Sequence, residues 1–183
     1  VLGVSSPRVI DVASSFATFA ANGIYSKPYL VKKIFDGEGN LIYEAIPQSK
    51  EVMSEELAYA TVDIMKDVIN GGTGGSLRAG WRPWGGITYP MAGKTGTTQN
   101  NADGWFMGLT PDLVTGVWVG AEDRSVRFRS TQQGQGSRTA MPIYGYYMNE
   151  VYKDPKIGIS TTDFDRPKNY NEQVNGCAGE YLP

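Results

Sequence analysis

Apolar residues recur at helical spacing from the start of the chain. In SSPRVIDVASSFATFAANG, Val9, Val12, Ala13, Phe16 and Ala20 fall on one face, which predicts a helix with one buried side. Ser6 is placed to cap it, Pro7 suits its first position and Asn22-Gly23 is a stop signal. The runs YLVKKIF and LIYEA flank DGEGN and predict a hairpin that turns between Gly37 and Asn40. A second helix is expected after Ser54, with Glu55 and Glu56 suited to the dipole of its first turn. Its stripe is Ala58, Thr61, Val62, Met65 and Val68, and the glycines at 71 and 72 end it.

The pattern then changes. Residues 71–90 are glycine-rich, with Trp81 and Trp84 set among basic residues, and read as a long loop; loops of that length are often functional, but the basic-aromatic interleaving equally suits surface packing. Three strands come next in PMAGKTGTT, GWFMGLT and LVTGVWVGA, the last two joined by the turn formers Pro111 and Asp112. Their near-continuous apolar character predicts a sheet covered on both faces. A third helix is expected from about Thr139, with Pro142 in its first turn and Tyr144, Tyr147, Met148 and Val151 on its apolar side. From Pro155 the chain turns polar and irregular. Residues 1–155 are therefore read as the domain and 156–183 as a polar tail or linker leading out of it.

Composition narrows the chemistry by exclusion. The 183 residues carry a formal net charge of −2, without the concentrated basic face that nucleic acid demands. No apolar run approaches the roughly 20 residues of a membrane-spanning helix, and no signal peptide is visible. The chain starts at Val1 without an initiator methionine and reads as a fragment, with any anchor upstream. Histidine is absent and Cys177 is the single cysteine. A Ser-His-Asp triad, a Cys-His dyad, a histidine-ligated zinc site and an internal disulfide are thus all excluded within this chain. Cys177, in the polar tail, reads as an inert unpaired thiol, and nothing calls for a cofactor.

One run is built to grip an anion: GKTGTT at 93–98. A phosphate loop would need a glycine five places before Gly93, where the chain has Thr88, and a helix opening at the lysine. Lys94 is succeeded instead by glycine and β-branched threonines, a poor first helical turn. The alternative is a carboxylate grip on a strand. The Lys94 ammonium offers a charge-assisted hydrogen bond worth roughly 1.5–3 kcal/mol. Thr95 and Thr97 add hydroxyls, strand N–H groups can face an oxyanion, and Gly96 admits a substrate backbone. Strand alternation puts Thr95 and Thr97 on one face and Lys94 on the other, so a shared ligand requires a strand at a rim. On three letters alone, an ordinary exposed strand edge with a solubilising lysine is the simpler account.

The flanking residues add a resemblance. AGKTGTTQNNADGWFMGLTPDLVTGVWVGAED and VASSFATFAANGIYSKPYLVKKIFDGEGNLIYE resemble the C-terminal part of the transpeptidase domain of class A (bifunctional) penicillin-binding proteins. LAYATVDIMKDVINGGTGGSLRAG and GQGSRTAMPIYGYYM resemble that family's segments in the same order, so the likeness runs over about residues 3–167. It implies an α+β fold, an antiparallel sheet flanked by helices, incomplete here relative to the penicillin-binding (β-lactamase-like) fold. It also implies serine acyl transfer that cross-links peptidoglycan, with stem peptides and β-lactam antibiotics as ligands. Carried onto this chain, Lys94 supplies electrostatics and joins the proton relay, and Thr95, Gly96 and Thr97 form the substrate-binding strand. Thr97 contributes to catalysis through its N–H as one oxyanion donor. The family's Ser-x-x-Lys and Ser-x-Asn motifs are missing: Met91, Asp63 and Pro47 stand three places before Lys94, Lys66 and Lys50. The nucleophile is thus expected upstream in the same polypeptide, and the chain alone is expected to be inactive. The full-length protein is expected to be anchored at the periplasmic face of the inner membrane.

Overall fold

A computed structural model describes residues 6–170; Cys177 lies outside the described residues. The domain centres on three antiparallel strands, β5 (Ala92–Thr97), β6 (Gly104–Leu109) and β7 (Val114–Val119), in the spatial order β5-β6-β7. All three coincide with the apolar runs read from the sequence. The link between β6 and β7 is tied by Thr110, whose N–H donates to the Leu113 carbonyl at 2.9 Å. β5 is an outer strand, so the lysine-threonine run lies at a rim.

Helices cover both faces. α1 (Val9–Ala20) lies on one, where a Cβ on Gly116 of β7 would come 3.1 Å from Val9 Cγ1. α4 (Ala140–Lys153) lies on the other, with the Tyr144 ring centroid 4.9 Å from that of Phe106. Gly108 makes this approach possible, because a Cβ there would stand 2.3 Å from two ring carbons of Tyr144. Burial pushes the Tyr144 phenol well above its usual pKa. α2 (Glu55–Asn70) packs beside β5 and buries Ala58, Val62, Met65 and Ile69. Its start is as expected: Ser54 caps it, with Oγ accepting the Leu57 N–H at 3.3 Å.

The remaining strands form two short pairs. β2 (Lys33–Phe35) and β3 (Leu41–Glu44) make the expected hairpin, while β1 (Ile24–Ser26) pairs with β4 (Ser49–Glu51). That second pairing joins three-residue strands, too short for any alternation to show in the sequence.

Four expectations are corrected. Arg8, not Ser6, occupies the N-cap of α1, in extended conformation and without a side-chain cap, so Pro7 falls outside the helix. The apolar face of α1 is only half-covered, and Thr18 is its one buried residue. On α4, Tyr144, Met148 and Val151 are buried as expected, whereas Tyr147 at the edge of the stripe stays exposed. On α2, Ile69 rather than Val68 completes the buried side. Beyond α4 the described chain has no helix or strand, yet it holds to α2. Phe164 and Tyr170 are buried there, the Tyr170 hydroxyl donates to Asp63 Oδ2 at 2.9 Å and Lys66 pairs with Asp163 at 2.7 Å. The boundary at 155 thus separates regular from irregular chain, and the irregular part to residue 170 shares core with the domain. Among the described residues no helix is long and apolar enough to cross a membrane.

Candidate active site

The outer position of β5 settles the geometry of the lysine-threonine run. Register places Lys94 opposite Met107, and Met107 opposite Gly116, so Lys94 stands on the α1 face. Its side chain is exposed and curls back along the strand, with Nζ donating to the Thr95 carbonyl at 2.7 Å. No carboxylate pairs with it among the described residues, which leaves a cation at the mouth of a cleft. That cleft is a cavity of about 600 Å³ between α1 and the sheet, lined by Val12, Phe16, Lys94, Gly96, Trp105 and Trp118 among others. The local context is strand, tight turn, strand. No helix begins at Lys94, which removes the phosphate-loop reading.

Thr95 and Thr97 point to the opposite face, as the alternation requires. The Thr95 hydroxyl shares a 2.8 Å hydrogen bond with that of Thr73, in the glycine-rich stretch after α2. The Thr97 hydroxyl accepts the N–H of Gly136 at 3.2 Å. The three side chains therefore sit within one short strand but do not converge on a point here. Gly96 has a packing reason of its own, since a Cβ there would lie 3.0 Å from Trp105 Cβ. Gly136 is held closer still: a Cβ on it would fall 2.5 Å from the Gly96 carbonyl and 2.2 Å from that of Trp105.

Sequence reasoning missed the residue that fixes the end of this strand. Asp103 is only 7% exposed, and its carboxylate is fully engaged. Oδ2 accepts the Thr98 hydroxyl at 2.8 Å and Oδ1 accepts the Trp118 indole N–H at 3.0 Å, while the Asp103 N–H donates to Thr98 Oγ1 at 3.0 Å. Arg124 stands 3.9 Å away. The carboxylate thus locks the turn that leaves Thr97 to β7, two strands across. Asp103→Ala strands the indole N–H and the threonine hydroxyl, and is expected to cost about 2–3 kcal/mol in denaturant unfolding. Asp103→Asn keeps one acceptor and is expected to lose less. Equal, negligible losses would show that the network is slack.

The fold and the rim-placed strand define a penicillin-binding transpeptidase architecture, and comparison with known proteins agrees. The family described as the penicillin binding protein transpeptidase domain matches residues 9–142. The chain belongs to that family, as part of the transpeptidase domain of a class A penicillin-binding protein. It is 35% identical to penicillin-binding protein 1A of Aquifex aeolicus over 82% of this chain and 19% of that protein. It is 35% identical to penicillin-binding protein 1A of Mycolicibacterium smegmatis over 98% of this chain and 22% of that one. The chain thus spans about a fifth of the relatives it matches. Among solved structures, PonA1 of Mycobacterium tuberculosis superposes with a TM-score of 0.70 at 30% identity, covering 96% of this chain and 44% of that one. Penicillin-binding protein 1A of Haemophilus influenzae gives 0.76 at 24% identity, covering 91% and 29%, and supports the fold.

Proposed function

We propose that this chain is the anion-gripping wall of a serine-type D-Ala-D-Ala transpeptidase, whose nucleophile is carried by an upstream part of the same polypeptide. The observation that carries the reading is Lys94: a cation without a carboxylate partner among the described residues, on the outer strand of a penicillin-binding fold and lining a cleft. In this mechanism the Lys94 ammonium draws in the terminal carboxylate of a peptidoglycan stem peptide or a β-lactam. The Thr95 hydroxyl leaves Thr73 to donate to that carboxylate, and the Thr97 hydroxyl, whose oxygen accepts the Gly136 N–H, donates its proton to it. An upstream serine attacks the peptide carbonyl, and the tetrahedral oxyanion takes hydrogen bonds from the Thr97 N–H and the N–H of that serine. Collapse expels D-alanine, and the amine of a neighbouring strand then takes the acyl group and completes the cross-link. Lys94 also belongs to the relay that returns the proton to the leaving amine.

With neither a Ser-x-x-Lys nor a Ser-x-Asn motif of its own, the chain is inactive alone under this reading. The whole protein works outside the cytoplasm, at the periplasmic face of the inner membrane, held by an anchor upstream. The competing reading is a non-catalytic module that binds cell-wall peptides or scaffolds a complex. A fluorescent penicillin separates the two when offered to the polypeptide with its upstream part. A covalent label that survives denaturation is expected; reversible peptide binding without a label would favour the scaffold.

A further inference from the structure

A second cavity, of about 510 Å³, opens at the end of the grip strand and is lined by Asn100, Asn101, Ser125, Arg127, Phe128 and Arg129. Its walls are tied together. The Phe128 N–H donates to the Asn101 carbonyl at 3.2 Å, and a Cβ on Gly134 would lie 2.8 Å from both Asn101 Cβ and Phe128 Cβ. Asn100 and Asn101 take positive φ of 61° and 57°, which turns the chain back toward β6 two residues past Thr98.

The charge on this lining is of one sign: two arginines and no acidic residue. Neither guanidinium has a hydrogen bond or ion pair among the described residues. The acids of the same loop are directed elsewhere. Asp123 Oδ1 accepts the Ser125 N–H at 2.8 Å within its own turn, and Glu122 lines the cleft under α1. Arg124 stands toward Asp103 and away from this lining.

We infer that Arg127 and Arg129 form a subsite for a carboxylate carried by the donor peptide, an inference that rests on the transpeptidase reading above. Direction along the strand decides which part of the donor reaches it. With the terminal carboxylate at Lys94 and Thr95 and the attacked carbonyl at the Thr97 N–H, the donor runs antiparallel to β5 and continues past Thr98. Extended peptide advances about 3.3 Å per residue, so the residue one place before the attacked D-alanine lies level with Thr98 and the one before that with Gln99, and an acidic side chain there extends toward the turn at Asn100 and Asn101. A carboxylate there meets two forked cations, and an amide or an apolar group forgoes that pairing.

The test uses the polypeptide with its upstream part and two thioester donors that end in the same D-alanyl thioester. They differ in whether the preceding residue bears a free carboxylate or its amide. In the Arg127→Gln/Arg129→Gln variant, kcat/KM for the free-carboxylate donor is expected to fall about tenfold, a moderate loss in keeping with exposed charge pairs. The amide donor, and benzylpenicillin with its neutral side chain, are expected to change less than about twofold. The Arg127→Lys/Arg129→Lys variant keeps the charge and should recover much of the loss for the free-carboxylate donor alone. Equal changes for both donors in both variants, or no change in either, would overturn the subsite while penicillin labelling upholds the transpeptidase. Absence of penicillin labelling in the wild type would overturn both.

Discussion

In the polypeptide with its upstream part restored, Lys94→Ala is expected to slow acylation by a labelled penicillin by about 10²–10³-fold, the loss typical of removing one preorganised charge or donor at an acyl-transfer site. The surroundings of Lys94 are the reason. Among the described residues its ammonium has no carboxylate partner, and it donates a hydrogen bond to the Thr95 carbonyl of its own strand. An incoming carboxylate therefore does not have to displace an existing ion pair. The side chain is exposed on an outer strand, so its removal leaves no buried cavity and no orphaned buried group. Unfolding of the variant should stay within about 0.5 kcal/mol of the wild type, the usual range for surface substitutions. Stopped-flow labelling beside a denaturant curve checks both halves. A slow variant with an unchanged curve places the lysine in the chemistry; unchanged labelling removes that role and keeps the family.

The second large effect concerns the chain by itself. Residues 1–183 alone are expected to give no covalent penicillin adduct and to associate with one another in solution. β5 and β7 each have one side without a partner strand among the described residues. The hairpin β2–β3 exposes Ile34, Phe35, Leu41, Ile42 and Tyr43, and beside it Leu30 is 90% and Ile46 85% exposed. The apolar side of α1 is only half-covered: Phe16 and Phe19 pack against the core beside α2, while Val12 and Phe16 also line the open cleft. Covering one large aliphatic side chain is worth about 1.5–3 kcal/mol, so a surface of this kind favours any partner that hides it, a second copy included. Light scattering coupled to gel filtration reads the outcome. A monomer that melts in one sharp transition would show that the domain stands without its upstream neighbours.

Legibility in the sequence divides along contact range. α2 was legible to its cap because Ser54, Glu55 and the stripe behind them act within a few turns of chain. The three strands and α4 were legible because long apolar runs have few other uses in so short a span. The outer position of β5 was legible in a weaker way, as a condition that Lys94 and the threonines impose if they are to share a ligand. The features that escaped depend on residues far apart in the chain. Thr73 meets Thr95 across 22 positions, Gly136 meets Thr97 across 39 and Tyr170 meets Asp63 across 107, and none of these pairs leaves a period in the sequence. Asp103 was hidden differently: inside NNADG it has the composition of any polar turn, and only the position of Trp118 on β7 shows that its carboxylate is structural. α1 is less buried than its pattern predicts, because periodicity reports which side is apolar and cannot report whether anything covers it.

In the proposed transpeptidase this chain supplies the anion grip while another part of the polypeptide supplies the nucleophile. Peptide mapping by mass spectrometry after penicillin treatment tests it most directly, on residues 1–183 and on the polypeptide with its upstream part. The isolated chain is expected to carry no adduct, and the longer polypeptide a single adduct on a serine outside residues 1–183. An adduct on any serine or threonine within residues 1–183, in either sample, would contradict that division.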